Sequence, residues 1–186
     1  MRLPFTLQRK PNMRRAKLFV TTATVIFGSI VVAGLVLGIR PNFTASIAPG
    51  FYRTTRDVNT LLIAFCPSGD AERESIMRGY RPRGMQCPDH YAAILKPIAA
   101  RAGDIVTVTK QGIGLNGGPL LPNTQQFEKD SQKHSMHPWP EGMYHVAPGT
   151  IWVLSTYSKY SYDSRYYGPI KLTDVIAHVK PLWTFK

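Results

Sequence analysis

The sequence predicts a mainly β fold, an antiparallel β domain carried by a single N-terminal transmembrane helix. Residues 18–39 hold no charged side chain over 22 positions, and at about 1.5 Å per helical residue this length crosses a bilayer core. Residues 40–186 instead contain short apolar runs between turn signals, in a chain with 15 Gly and 15 Pro. An apolar content of 44% excludes a disordered chain.

The formal net charge of +12 divides the chain into three parts. Residues 1–17 hold six of the 23 basic residues and no acidic residue, so they form a basic tail. A basic tail beside an apolar segment stays in the cytoplasm. Residues 18–39 are therefore predicted to be a signal anchor, and residues 40–186 are predicted to lie on the other side of the membrane. A pI near 10 is also typical of nucleic-acid binding, but the tail explains the charge more simply, and no nucleic-acid partner is expected.

A cleaved signal peptide is the alternative to a retained anchor. The apolar segment is longer than the 7–15 residues that are usual for such a peptide. Ser46-Ile47-Ala48 resembles a small-residue cleavage site, but Pro49 follows it and its tertiary amide is a poor scissile bond. The sequence therefore favours a retained anchor.

The elements of the exported domain follow from its patterning. Residues 105–109 are β-branched throughout, and Asn116-Gly117 after residues 112–115 is typical of a hairpin turn. An acidic first turn and a glycine near the end predict one helix, over residues 70–80. The polar residues 121–140 predict a long surface loop. Strands are predicted at residues 60–65, 92–95, 105–109, 142–146, 150–154 and 174–179.

Cys66 and Cys87 are the two cysteines of the chain. Neither has the spacing of a zinc site, so no metal is expected. In an exported domain they meet an oxidising environment, which favours a Cys66–Cys87 disulfide. Two buried free thiols remain the alternative.

Three segments carry candidate chemistry. Ser46 lies seven residues beyond the apolar segment, within about 23 Å of it even in a fully extended chain, among small residues before a Pro49-Gly50 turn. Lys96 is the one charged residue in the apolar stretch 92–100, where burial would lower its pKa and allow a neutral amine to act as a general base. Residues 155–170 supply hydroxyl groups that suit a buried amine, together with Asp163 and Arg165 at a spacing that suits an ion pair. Taken singly, each segment also has an ordinary interpretation: Ser46 as a loop serine, Lys96 as a strand-edge lysine, and residues 155–170 as a tyrosine-rich surface loop.

Together these segments resemble the type I signal peptidase family, the membrane-anchored serine–lysine (S26-like) peptidases. The resemblance rests on Ser46-x-x-Pro49, on Lys96 leading into Gly103-Asp104, and on the run 163–168, in that order. Within the family the chain is most similar to the TraF-type conjugative-transfer peptidases, to which the Cys66-Pro67 and Cys87-Pro88 pair also points. The family's G-D-N-R run is replaced here by Ser155-Thr156-Tyr157-Ser158.

The resemblance implies a role for each matching residue. Ser46 would be the nucleophile and Lys96 its general base. The Thr44 hydroxyl and the Ser46 backbone N–H would form the oxyanion hole. Ser161 would orient Lys96, while Asp163 and Arg165 would support the third segment, Asp163 being also a candidate for a more direct role. No cofactor is implied.

The implied function is a serine endopeptidase of the bacterial inner membrane with its catalytic domain in the periplasm. It would remove a signal or pro-segment from an exported protein, with a conjugative pilin precursor as the expected substrate and membrane lipid around its anchor. An amine of the pilin itself, instead of water, could resolve the acyl-enzyme and close a ring. A general type I signal peptidase and a catalytically silent membrane-anchored assembly protein are the alternatives.

Overall fold

A computed structural model describes residues 13–185, which divide into an N-terminal unit ending at Ile39 and a second unit that begins at Arg40. The N-terminal unit is the helix α1, Met13–Val36, and its stretch Lys17–Gly34 has the length and the mean hydropathy, 1.7, of a membrane-spanning helix. Residues 1–12 of the predicted basic tail lie outside the described residues. The helix is displaced from the predicted segment 18–39, because Gly38 adopts φ 67° and ends the helical path.

The second unit is mainly β, which confirms the predicted fold class. Two short helices interrupt its strands, α2 (Asp70–Met77) and α3 (Ser164–Tyr167). The strands are β1 Ile39–Asn42, β2 Gly50–Thr55, β3 Leu62–Phe65, β4 Ile94–Ala100, β5 Ile105–Thr109, β6 Gly112–Leu115, β7 Gly142–His145, β8 Thr150–Val153, β9 Ile170–Lys171 and β10 Val175–Thr184.

A seven-stranded sheet forms the main layer, in the order β1-β2-β10-β3-β4-β8-β9. The last strand in the chain, β10, lies between β2 and β3 and pairs antiparallel with both. Strand β4 pairs antiparallel with β3, where Lys96 stands opposite Ile63, and also with β8. The sheet thus joins the strand that follows Ser46 to the strand that carries Lys96 through two intervening strands.

A smaller antiparallel sheet, β6-β5-β7, follows β4. Inward-facing Val106 and Val108 of β5 pack there with Trp152 of β8. A second apolar cluster fills the main sheet around Phe65 and Val153, and a third joins Ile47, next to Ser46, to Tyr52, Ala64 and Val179. The segment that carries Ser46 is therefore anchored to the core by its neighbouring isoleucine.

The element predictions hold best where periodicity is strong. Strand β5 matches residues 105–109, and the turn at Asn116-Gly117 has positive φ at both residues, as a type I′ turn requires. Helix α2 ends at Met77 instead of residue 80, because Gly79 at φ 67° terminates it.

The prediction that residues 121–140 form a surface loop is only partly right. The segment lacks a named helix or strand, but Thr124 and Met136 are buried within it. Thr124 accepts from Ile113 N at 2.9 Å and donates to Leu121 O at 2.7 Å, so it stabilises the loop from inside. The polar composition of the loop concealed this packing.

A disulfide joins Cys66, directly after β3, to Cys87, which lies between α2 and β4. It closes the segment that contains α2, with a sequence separation of 21. The favoured interpretation of the two cysteines is therefore the one present in the structure.

We expect the Cys66→Ala/Cys87→Ala variant to lose roughly 3 kcal/mol of unfolding free energy, because the open loop gains entropy in the unfolded chain. Urea titration of the full chain in detergent measures this, and wild type with and without reductant is the control. An unchanged midpoint, or two reactive thiols in the denatured and unreduced wild type, would contradict the prediction.

Candidate active site

Ser46 lies in a turn between β1 and β2 and is partly exposed. The turn is bounded by Asn42 at the end of β1 and Gly50 at the start of β2. A Cβ added to Gly50 would lie 2.2 Å from Trp183 O, so only glycine permits this close pairing with β10.

Lys96 lies on the inward face of β4 and is 1% exposed. The strand alternates so that Lys96, Ile98 and Ala100 all point to the buried side. Its Nζ donates to Ser161 Oγ at 2.5 Å. The lysine is thus a buried amine whose recorded partner is a neutral hydroxyl.

Burial lowers the pKa of Lys96 from 10.5 to about 8, because the ammonium loses its hydration. The negative charge of Asp163 opposes this shift, and the positive charge of Arg165 adds to it. A lysine with such a pKa carries a substantial neutral fraction slightly above neutral pH, and a neutral amine can accept a proton.

Asp163 and Arg165 form a fully buried ion pair. Arg165 donates to the two carboxylate oxygens of Asp163, through Nε at 2.8 Å and Nη2 at 2.9 Å. Asp163 also accepts from the backbone N–H of Ser155 at 3.0 Å, and Arg165 Nη2 donates to Ser155 O at 3.0 Å. The pair therefore fixes the segment that carries Ser161.

Arg165 also extends to the loop 121–140. Its Nη1 donates to Asn123 O at 2.8 Å and to Gln125 O at 3.2 Å, and Gln126 Nε2 donates to Arg165 O at 3.0 Å. These contacts tie the long loop to the third segment.

Ser155 joins the third segment to the turn that carries Ser46. Its Oγ donates to the Ser46 carbonyl oxygen at 2.5 Å. Among residues 13–185, Ser46 Oγ makes no hydrogen bond to Lys96 Nζ. The two residues are instead connected through the segment 155–163, in which Ser155 bonds Ser46 O and Ser161 bonds Lys96 Nζ. An approach of the two side chains to within one water of each other stays a prediction.

Thr44 is exposed, and its hydroxyl donates to Asn42 Oδ1 at 2.8 Å. In this arrangement its proton is committed to Asn42, so an oxyanion role requires the hydroxyl to rotate away. Asn42 itself was given no role from the sequence. Its position two residues before Thr44 is typical of an Asx turn, which is the signal that points to it.

A cavity of about 500 Å³ lies beside α2. Its aromatic lining consists of Trp139, Tyr162, Tyr166 and Tyr167. Neither Ser46 nor Lys96 lines this cavity. Across the described part of the chain, no group of three or more His, Cys, Asp or Glu could hold a metal ion.

The comparison with protein families defines the class of this protein. A family model described as signal peptidase, peptidase S26, matches residues 15–183, nearly the whole chain. The chain therefore belongs to the peptidase S26 family of serine peptidases.

Particular relatives are found among conjugation proteins. The chain is 30% identical over 172 residues to a conjugal transfer protein TraF of Agrobacterium fabrum, covering 90% of this chain and 94% of the relative. It is 29% identical over 160 residues to a plasmid transfer protein TraF of Escherichia coli, covering 82% and 87%. A signal peptidase I structure from Enterococcus faecalis aligns with a TM-score of 0.36 and 17% identity, covering 65% of this chain and 95% of that one.

Proposed function

We propose that this protein is a membrane-anchored serine endopeptidase in which Ser46 is the nucleophile and Lys96 the general base. The observation that carries the proposal is the buried Lys96, with a pKa lowered to about 8 and a hydroxyl partner in Ser161. An exposed lysine would be protonated at neutral pH and could not accept the proton of a serine.

In the proposed reaction, Lys96 Nζ removes the proton of Ser46 Oγ as this oxygen attacks the carbonyl carbon of the scissile peptide. The backbone N–H of Ser46 and the rotated Thr44 hydroxyl bind the oxyanion that forms. Protonated Lys96 then gives its proton to the leaving amine, and an ester on Ser46 remains. Ser161 orients the lysine through both steps, while Asp163 and Arg165 hold the segment that carries Ser161.

Water or a second amine then attacks the ester, and Lys96 accepts the proton of the attacking group. Water gives a free carboxylate, and an amine of the substrate itself gives a ring. A tethered amine has a high effective concentration, which favours ring closure whenever the substrate termini reach the site.

The expected substrate is a conjugative pilin precursor, and the names of the TraF relatives, conjugal and plasmid transfer proteins, support a role in conjugation. We place the protein in the bacterial inner membrane with α1 as its anchor, the N-terminus in the cytoplasm and the catalytic domain in the periplasm. The basic tail and the Cys66–Cys87 disulfide both support this orientation.

The resemblance to signal peptidases implies a pocket that accepts small side chains next to the cleaved bond. We therefore expect the full chain in detergent to cleave a synthetic peptide that has alanine at the two positions before the bond that small residues should occupy. Because the base must be neutral, the rate should rise with pH through about 8, the pKa of Lys96, and level off above it. Mass spectrometry identifies the products, and the same peptide with phenylalanine at those positions is the control.

A flat rate between about pH 6 and about pH 10, or equal cleavage of the phenylalanine peptide, would contradict the lysine base or the small-residue pocket. Absence of cleavage of both this peptide and a co-expressed pilin precursor would favour the catalytically silent alternative. With the pilin precursor, a product lighter by one water than the linear chain identifies ring closure.

A further inference from the structure

Asn42 is 6% exposed, and its side chain makes five hydrogen bonds to the loop that carries Ser46, residues 43–49. Its Nδ2 donates to Thr44 O at 3.0 Å, to Ile47 O at 3.4 Å and to Ala48 O at 3.4 Å. Its Oδ1 accepts from Thr44 N at 3.3 Å and from the Thr44 hydroxyl at 2.8 Å. One amide group therefore bridges both sides of the turn that contains Ser46.

The orientation of the Asn42 amide follows from its neighbours. Three carbonyl oxygens surround one end, and they can only accept, whereas an N–H and an O–H donate to the other end. A reversed amide would place its oxygen against the carbonyls of Thr44, Ile47 and Ala48 and lose four of the five contacts, because only the Thr44 hydroxyl could also accept from the amide.

Two further hydroxyl groups bind the same loop. Ser155 Oγ donates to Ser46 O, and Tyr52 Oη donates to Ala48 O, each at 2.5 Å. The carbonyls of four of the five residues 44–48 are thus bound by side chains. The backbone N–H of Ser46, in contrast, has no acceptor in the described part of the chain.

Four carbonyl oxygens of this loop are therefore bound inside the protein, whereas the Ser46 N–H, within the described residues, is not. Carbonyl oxygens close to a developing oxyanion would repel it, whereas an N–H without an internal acceptor is free to donate to it. By binding three of the carbonyls, Asn42 keeps them turned toward the protein and keeps the loop in the conformation that leaves the Ser46 N–H open.

We propose that Asn42 is a positioning residue for the peptidase reaction, because its side-chain amide holds the Ser46 loop in the shape that attack requires. This inference rests on the proposed function. Asn42 does not touch the scissile bond, and it acts through the backbone of residues 44–48. Neither the composition of the segment nor its resemblance to the family assigns it a role.

Asn42→Asp is the sharpest test, because the two side chains have nearly the same shape. The carboxylate still accepts from Thr44, but its second oxygen faces three carbonyl oxygens where the Nδ2 donor stood. We expect kcat on the alanine peptide to fall by about 10²-fold, as a small misplacement of the nucleophile costs, with KM nearly unchanged. The pH at which the rate rises should not move, because Lys96 is untouched.

Hydrogen exchange gives a readout that does not depend on activity. In Asn42→Asp the amides of residues 43–49 should exchange faster, while those of β5 should keep their wild-type rates. Thr109→Val is the matched control, because the Thr109 hydroxyl also bonds a turn, donating to Gly112 O at 2.8 Å and accepting from Gly112 N at 3.2 Å, but in the smaller sheet. It should lose stability without changing kcat per folded molecule.

Faster loop exchange with an unchanged kcat would overturn the inference and leave the proposed function intact. An equal loss of kcat in Thr109→Val would also overturn it, because the effect would then be general destabilisation. Full activity of Ser46→Ala would instead refute the proposed function itself, so the two failures are distinguishable.

Discussion

Lys96→Met is expected to abolish peptide cleavage and at the same time to stabilise the fold. Without the amine no group takes the Ser46 proton, and the rate should fall on the order of 10⁴-fold. Ser46→Ala should lose as much, and the double variant no more, because the two residues act as one unit. Lys96→Arg should be inactive as well, since a guanidinium does not deprotonate at neutral pH.

Lys96→Met should stabilise the fold because the burial of the Lys96 ammonium is unfavourable. A pKa lowered from 10.5 to about 8 corresponds to about 3 kcal/mol of penalty on the charged form. Methionine removes this cost but leaves Ser161 without its lysine partner, so we expect a net gain on the order of 2 kcal/mol at neutral pH.

The pH dependence of this gain follows from the direction of the shift. Between about pH 8 and about pH 10.5 the unfolded chain binds more protons at Lys96 than the folded chain, so wild-type stability rises with pH. The advantage of Lys96→Met is therefore complete below about pH 8 and fades above it. Urea titration at several pH values measures this, with the exposed Lys110→Met as control. Normal cleavage by Lys96→Met would contradict its role as the base.

The second large effect is expected at the buried ion pair. Arg165→Met leaves the Asp163 carboxylate buried without its partner and releases the contacts to Asn123 and Gln125. We expect a loss of about 3–5 kcal/mol of unfolding free energy, which a small domain barely tolerates. Thermal unfolding monitored by circular dichroism measures it.

Two variants give this prediction its controls. Arg73→Met removes an ion pair with Asp70 that is largely exposed, and it should cost less than about 1 kcal/mol. The double variant Asp163→Leu/Arg165→Met removes both buried charges and should recover part of the stability. If Arg165→Met unfolded at the wild-type temperature, the pair would not hold the third segment in place.

Local patterning predicted the parts of the fold that depend on neighbours in sequence. Strand β5 is defined by its β-branched alternation alone, and α2 by its acidic first turn. Strand β10 was predicted to end at residue 179 but continues to Thr184, because its second half pairs with β2 and a bulge between Pro181 and Trp183 accommodates the proline. Strand β2 was missed for the same reason, since its partner lies at the far end of the chain.

The candidate site also combines features that local sequence predicts with contacts that it does not. Ser46 and Lys96 were chosen from local context, as a serine among small residues and a lysine in an apolar strand. The hydrogen bond from Ser155 to Ser46 O joins positions 109 residues apart, and no local pattern indicates it. The contacts of Asn42 are local, but they depend on a turn conformation that the sequence does not reveal until the carbonyl directions are known.

The position of β10 has a consequence for the timing of assembly. This strand is synthesised after β1–β9, yet it separates β2, which follows the serine turn, from β3, which neighbours the lysine strand. Until Val175–Thr184 has left the ribosome, the two parts of the site share no continuous sheet. A polypeptide that has not yet grown past Thr184 therefore lacks the strand that connects the Ser46 turn to the Lys96 strand.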